Sequence, residues 1–299
     1  MLLRTPLTLA VLAAGATAQD LALDPPHVDS ETEGWSTYAE AGGASYRNAP
    51  LEGRAGSLDL DRYELAFGLE RHGEAGVLDL TLDHARQTYN PNWQLGGLAQ
   101  PLETADHYRL QAAWHEEGGE DLSWYLGARA EAGAEGAEDP FGDVTFGATV
   151  GLELGLSEDL GLELSLDALE QLEDEARLTP LALVDWRLAE DLRLGRVAGG
   201  YGLDWGYDLE TRYFVAVDRD ERQFRLDDDA GGGVVRDRET TLRAGMLWQP
   251  RADVRLELCL GQAERHMTLL EDDQRVDCFG VDDTAFFGVR LDFGPGALF

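Results

Sequence analysis

Hydrophobic and polar residues alternate with a period of two along most of this chain. Between Leu160 and Leu166 every even-numbered residue is leucine, whereas Glu163 and Ser165 occupy odd-numbered positions between them. Successive side chains of a β-strand point to opposite faces, so this alternation is typical of strands with one apolar and one polar face. The pattern recurs from residue 35 to residue 293 and predicts an all-β protein.

The alternation divides into 14 predicted strands. The two shortest segments, 191–196 and 222–227, are the weakest of them, and losing both would leave 12, because bacterial barrels have even strand numbers. The predicted strands are 35–47, 60–70, 77–86, 105–116, 122–132, 143–155, 160–168, 178–188, 191–196, 203–217, 222–227, 234–248, 253–263 and 284–293.

The connections between these strands alternate in length. Short turns are predicted at 71–76, 117–121, 156–159, 189–190, 218–221 and 249–252. Longer loops are predicted at 48–59, 87–104, 133–142, 169–177, 197–202, 228–233 and 264–283. Short turns on one rim and longer loops on the other are typical of outer-membrane barrels, with the turns on the periplasmic side.

The width of such a barrel decides which face points inward. Fourteen strands enclose an interior too wide for one layer of apolar side chains to fill, whereas a polar interior can hold water or ion pairs. Trp114, Trp124, Trp186 and Trp248 share the apolar face near the short-turn rim, as in an interfacial belt. The predicted fold is therefore a single transmembrane antiparallel up-and-down β-barrel with an apolar exterior.

The N-terminus predicts export. Residues 1–18 combine Arg4, a short apolar stretch and an Ala16-Thr17-Ala18 cleavage site, as in a secretory signal peptide. Residues 19–34 predict a periplasmic extension, and residues 35–299 the barrel. The predicted location is the outer membrane of a Gram-negative bacterium, in contact with lipid, lipopolysaccharide and the outer-membrane assembly machinery.

Charge excludes one class of partner. Arginine supplies all 24 cationic side chains against 58 acidic ones, for a formal net charge of −34. A charge of this size repels nucleic-acid phosphates, so no nucleic-acid partner is expected. Beyond the N-terminus no apolar run approaches the ~20 residues of a transmembrane helix.

Three stretches carry a family resemblance: Phe141 to Leu154, Leu178 to Leu194, and Tyr201 to Tyr213. They resemble an uncharacterised family, a domain of unknown function, of Gram-negative outer-membrane β-barrel proteins. The resemblance covers about the central two-thirds of the mature chain and implies the same fold and location. The family carries no established activity, so it implies no catalytic residue.

Charged residues at the positions predicted to face inward form a ladder along the strands. One interpretation is a charged pore lining, and the other is an interior stapled by cross-strand ion pairs. Because the acidic members outnumber the arginines, an open lumen would prefer cations. The lumen-lining candidates are Arg62, Glu64, Arg109, Arg129, Glu131, Glu153, Glu163, Asp185, Arg187, Asp208, Glu210, Arg212, Glu239, Arg243, Arg255, Glu257, Arg290 and Asp292.

Other candidate chemistry is sparse. Cys259 and Cys278 are a hypothetical disulfide in an exported chain, and they show no zinc-ligand spacing. No cofactor, metal site or catalytic residue is predicted, and the leading function is a passive, cation-preferring channel or a barrel of undefined role. The alternatives are an outer-leaflet lipid-modifying enzyme, for which His84 and His107 are the candidate histidines, and a surface-exposed binding or adhesion barrel using loops 87–104 and 264–283. The oligomeric state is left open.

Overall fold

A computed structural model of the protein describes residues 34–52, 56–73, 76–89, 94–95, 98–99, 103–119, 122–136, 141–206, 210–226, 233–271 and 274–294. The predicted signal peptide 1–18 and nearly all of the predicted extension 19–34 lie outside these ranges. Among the described residues, no helix is long and apolar enough to cross a membrane.

Fourteen strands form one closed sheet. They are β1 (Gly34–Pro50), β2 (Ser57–Gly73), β3 (Gly76–Tyr89), β6 (Thr104–Gly119), β7 (Leu122–Glu135), β8 (Val144–Ser157), β9 (Leu160–Gln171), β10 (Asp174–Ala189), β11 (Leu192–Val197), β12 (Gly200–Trp205), β13 (Thr211–Arg225), β14 (Val234–Arg251), β15 (Val254–Glu271) and β16 (Gln274–Phe293). Two short strands, β4 (Gln94–Leu95) and β5 (Leu98–Ala99), pair separately between β3 and β6.

The sheet is a meander that closes on itself. Each strand pairs antiparallel with the next one along the chain, and β1 also pairs with β16, where Gly42 lies opposite Arg290. Closure leaves no sheet edge between the first and last strands, so the ladder satisfies their backbone groups internally. The predicted closed antiparallel barrel of 14 strands is confirmed. We call the end where β1 begins and β16 ends the terminal rim, and the opposite end the far rim.

The two faces of the barrel invert the usual arrangement of a soluble protein. Phe67, Phe146 and Leu260 are 60%, 61% and 66% exposed on the outside. Glu239 and Arg265 are each 3% exposed on the inside. The period-two alternation produces this arrangement directly, since consecutive side chains of a strand point to opposite faces of the sheet.

Three predicted far-rim loops are instead strands and tight turns. β9 and β10 are joined at Leu172-Glu173, and β11 and β12 at Ala198-Gly199. Ala198 and Gly199 both have positive φ, as a type I′ hairpin turn requires, and Glu173 also has positive φ. The predicted loops 169–177 and 197–202 are therefore wrong. The predicted loop 264–283 is also wrong, because β15 and β16 continue pairing as far as Glu271 and Gln274.

The strand boundaries around residue 218 also differ from the prediction. The predicted strands 203–217 and 222–227 were to be separated by a turn at 218–221. In the structure residues 218–221 lie inside β13, where they pair with β14, and the chain reverses earlier, between Trp205 and Thr211. The strand number is still 14, because the second predicted strand is the end of β13 and the first divides into β12 and β13.

The hypothetical disulfide is wrong. Both cysteines are free. Cys259 on β15 lies opposite Gly288, whereas Cys278 on β16 lies opposite Thr268, nine residues further along β15. Nine residues of strand span about 30 Å, while a disulfide requires Cα atoms within about 7 Å. The long β15–β16 hairpin separates two residues that a loop would have allowed to meet.

This separation predicts two independent thiols. In the folded protein a maleimide-polyethylene glycol reagent should label Cys278, which is partly exposed, and should label the buried Cys259 only after unfolding. Gel mobility after labelling measures both events. The matched variant Cys278→Ala should take up no label until it is unfolded. Unfolded protein that takes up no label unless a reductant is added would contradict the prediction.

Candidate functional site

The lumen contains a cavity of about 310 Å³. Its walls come from β1, β2, β3, β6 and β13–β16, together with Gly199 at the tip of the β11–β12 hairpin. The alternation of these strands directs their charged residues inward, and nine carboxylates and six arginines line the space. They are Glu40, Glu64, Glu70, Asp79, Asp83, Asp218, Asp220, Glu239 and Glu257, with Arg62, Arg109, Arg222, Arg243, Arg255 and Arg290.

Ion pairs line the cavity toward the terminal rim. Arg243 Nη1 lies 3.3 Å from Glu257 Oε1, and Arg290 Nε lies 3.9 Å from Glu40 Oε2. Arg243 also donates to the carbonyl oxygen of Ala198, which holds the tip of the β11–β12 hairpin inside the barrel. Nearby, Arg255 Nε donates to Asp292 Oδ2 at 2.6 Å. Each of these three ion pairs joins two adjacent strands of the barrel.

A denser group of charges crosses the lumen above the cavity. We call Arg62, Arg222, Arg265, Glu64, Asp220, Asp237 and Glu239 the ion cluster. Arg222 Nη2 on β13 lies 2.7 Å from Glu64 Oε1 on β2. Arg62 on β2 reaches Glu239 on β14 at 3.2 Å. Three strands separate β2 from β14 on the shorter way round the barrel, so these side chains reach across the lumen.

A third arginine completes the ion cluster, and two tyrosines donate hydrogen bonds to its carboxylates. Arg265 Nη1 lies 2.6 Å from Asp237 Oδ2 and also binds Glu239. The hydroxyl groups of Tyr46 and Tyr89 donate to Glu239 at 3.0 Å and to Asp237 at 3.2 Å. Buried carboxylates are tolerated only with such partners, because an unpaired buried charge carries a large desolvation penalty.

An apolar layer fills the lumen between the ion cluster and the far rim. We call it the apolar seal. Its side chains have inward parity, and each is at most 5% exposed. Its members are Tyr46, Leu58, Leu60, Tyr89, Phe224, Val235, Met267 and Leu269. The lumen is therefore closed between the cavity and the far rim in the part of the barrel that the structure describes.

A second set of ion pairs and hydrogen bonds links the strands from β7 to β13. Arg129 contacts Glu131 and Asp167, each at 3.0 Å. Glu163 binds Arg196 at 2.7 Å and accepts a hydrogen bond from Tyr125 at 2.6 Å. Asp185 pairs with Arg193, Asp204 pairs with Arg212, and Glu153 accepts from Ser123 at 2.8 Å. Apart from the Arg129–Glu131 pair within β7, these contacts join strands that are adjacent or separated by one strand, and the residues do not line the cavity.

The predicted lumen-lining residues thus fall into four groups. Those at the cavity are Arg62, Glu64, Arg109, Glu239, Arg243, Arg255, Glu257 and Arg290. Those in other interior ion pairs or hydrogen bonds are Arg129, Glu131, Glu153, Glu163, Asp185, Arg212 and Asp292. Arg187 and Glu210 are exposed at the terminal rim. Asp208 lies outside the described residues.

The predicted candidates lack several charged residues of the cavity and the ion cluster, and three of these lie on one strand: Asp218, Asp220 and Arg222. The first two fell in a predicted turn and the third in a predicted short strand. The available signal was the alternation of the strand. If β13 is continuous, these three residues face inward together with Phe214 and Ala216.

The histidine candidates for lipid chemistry are separated. His84 faces outward, with Nε2 2.8 Å from Asp106 Oδ1 and its ring stacked on Tyr108 at 4.6 Å between centroids. His107 is buried inside, 3.7 Å from Glu131. The two imidazoles therefore point to opposite faces of the wall.

Comparison with known proteins gives matches by shape alone. No family model and no curated protein matches the chain. An outer membrane channel from Pseudomonas putida F1 is 12% identical, with a TM-score of 0.48, and the match covers 89% of this chain and 99% of that one. A FadL homologue from Pseudomonas aeruginosa is 10% identical, with a TM-score of 0.44, covering 87% and 90%. The KdgM porin bound to oligogalacturonate is 8% identical, with a TM-score of 0.38, covering 87% and 98%.

The ion cluster predicts a large effect of removing one arginine. Arg265→Met leaves Asp237 and Glu239 with less compensation in a buried site and should lower the free energy of unfolding by about 3–5 kcal/mol. Urea unfolding in detergent micelles, followed by tryptophan fluorescence, measures it. The control Arg251→Met removes an exposed pair with Asp253 and should cost at most about 1 kcal/mol. Equal stabilities of the two variants would show that the cluster is not stabilising.

Proposed function

We propose that the protein is an outer-membrane β-barrel of a Gram-negative bacterium, exported by the segment 1–18. The closed sheet and the apolar exterior support this, because a soluble protein rarely exposes so large a continuous apolar surface. Trp186 and Trp248, 46% and 43% exposed near the terminal rim, suit a membrane interface. Lipid and lipopolysaccharide would then surround the barrel, and the assembly machinery would insert it.

We further propose that the lumen is a passage for small cations. The observation that carries this proposal is the cavity inside a closed barrel, where nine carboxylates face six arginines. Carboxylate-rich walls in a low-dielectric tube concentrate cations and repel anions. Because the apolar seal closes the far side, the resting conductance should be low, and conduction requires the seal to part.

Membrane insertion is tested first. The full-length protein, expressed in a Gram-negative host, should fractionate with the outer membrane and migrate differently on gels before and after heating, as folded barrels do. Recovery in the soluble periplasmic fraction as a folded species would overturn the proposed location.

Ion preference is tested with the purified protein in a planar bilayer under a KCl gradient. The reversal potential should have the sign of a cation-selective pore. The preference should weaken at high salt, because the Debye length falls from about 10 Å at 0.1 M to about 3 Å at 1 M. Removing two cavity charges with Glu40→Gln and Asp83→Asn should reduce it.

The matched control for this measurement is Glu264→Gln. Glu264 is 58% exposed on the outer face, so its removal should leave the reversal potential unchanged. Anion selectivity, or no conductance from folded protein under any voltage, contradicts the channel proposal.

A further inference from the structure

The end of β13 that lies toward the far rim leaves the barrel wall. β12 pairs with β13 only between Tyr213 and Val217. Beyond that point residues 218–225 keep β14 on one side, and on the other side they cross to β7, where Arg225 pairs in parallel with Ala134. We call residues 218–225 the crossing segment. In the far half of the barrel it closes nine strands into a narrower ring, and β8, β9 and β10 lie outside that ring.

The contact with β7 depends on a glycine. A Cβ atom added at Gly133 would lie 2.3 Å from the backbone oxygen of Gln223. That distance is well inside a van der Waals contact, and a backbone atom cannot move aside as a flexible side chain can. Next to it, Phe224 is fully buried and meets the His107 ring edge-on at 6.3 Å.

The opposite face of the crossing segment is polar and covered. Glu221 has the parity of the apolar exterior, yet its side chain is only 1% exposed. It lies 2.6 Å from Arg177 on β10 and 2.5 Å from Arg238 on β14, and it accepts from Gln171 at 3.1 Å. The β9–β10 hairpin supplies two of these partners, so it covers the charged face of β13.

β10 offers this segment a second place to pair. Among the described residues, Asp174–Asp185 of β10 pair only with β9, because the β11–β12 hairpin reaches no further than Trp186. Pro180 lies in this stretch and has no N–H, as is typical of an edge strand. β10 runs toward the terminal rim and β13 away from it, so the two can pair antiparallel.

We propose that the crossing segment is a gate strand with two alternative partners. In the observed, closed state it pairs with β7. In the open state it returns to the wall and pairs with the edge of β10 opposite β9. The inference rests on the proposed channel function, and it assigns the opening step of that channel to one segment.

The same movement would withdraw part of the apolar seal and part of the ion cluster from the lumen. Phe224 belongs to the apolar seal, and Asp220 and Arg222 belong to the ion cluster. All three are on the crossing segment, so its return to the wall withdraws them together. Two features oppose that return. Glu221 contacts Arg177 and Gln171 in the closed state, and the Gln223 backbone oxygen packs closely against Gly133.

Two variants weaken the closed state independently. Glu221→Gln removes the charge that holds Arg177 and Arg238, and Gly133→Ala clashes with the closed position of Gln223. Each should raise the mean bilayer current at least several-fold. The control Gly161→Ala also adds a methyl group on an inward-facing glycine of the wall, but its Cβ meets only ordinary contacts, starting at 3.6 Å, and it should leave the current unchanged.

A disulfide tests the position of the strand without any current. In a background of Cys259→Ala and Cys278→Ala, the pair Ala134→Cys and Arg225→Cys joins residues that are partners only in the closed state. It should oxidise readily, and adding Glu221→Gln should slow the oxidation several-fold, as seen on non-reducing gels. Oxidation should also abolish the extra current of Glu221→Gln, and reduction should restore it.

The outcomes separate the two proposals. An oxidation rate that Glu221→Gln leaves unchanged overturns the gate strand, whatever the currents show. A slowed oxidation with no current in any variant retains the movement of the strand and overturns the channel. Currents that rise in Glu221→Gln and persist after full oxidation retain the channel and overturn the gate. A control pair in the fixed wall, Leu126→Cys with Val150→Cys, should form without altering any current.

Discussion

The architecture depends on one constraint: each strand carries an apolar face and a charged face, and a closed sheet can satisfy both only by turning the charges inward. Closure through β1 and β16 removes the unpaired edge between the first and last strands, which an apolar surrounding would penalise. The enclosed charges must then pair with one another, since burying a single unpaired ion costs several kcal/mol. Arginine suits this role because its planar group binds two carboxylates at once.

The interior is nevertheless not uniform along the barrel axis. Toward the terminal rim, pairs such as Arg243–Glu257 lie along the wall and leave a cavity between them. Toward the far rim, the inward positions change from charged to apolar at Leu60 and Met267, and the side chains meet in the middle. The same alternation therefore produces a charged cavity in one half and an apolar seal in the other. The difference comes from which residues occupy the inward positions and from how narrow the ring is there.

β13 shows how charge on both faces of a strand reshapes the barrel. A strand with Asp220 on one side and Glu221 on the other carries charge on both faces. The β9–β10 hairpin provides a second polar layer, through Arg177 and Gln171, and this layer keeps Glu221 out of contact with the surroundings. The narrowed ring and the closed lumen both follow from this local arrangement of the strands, and so does the stretch of β10 that pairs with β9 alone.

By itself the sequence determined the fold class, the closed meander of 14 strands and the face to which most side chains point, because a period of two depends only on neighbouring residues. Because the prediction used only neighbouring residues, it assigned the charged run Asp218–Glu221 to a turn. Only the tertiary structure shows it as strand, since its partners Arg62 and Arg177 are distant in the chain. The length of the β15–β16 hairpin, which separates Cys259 from Cys278, was likewise decided by pairing between strands. The tertiary structure also decided which charged residues line the cavity, which form the ion cluster and which pair within the wall. Contacts across a lumen depend on closure and register, which no single segment encodes.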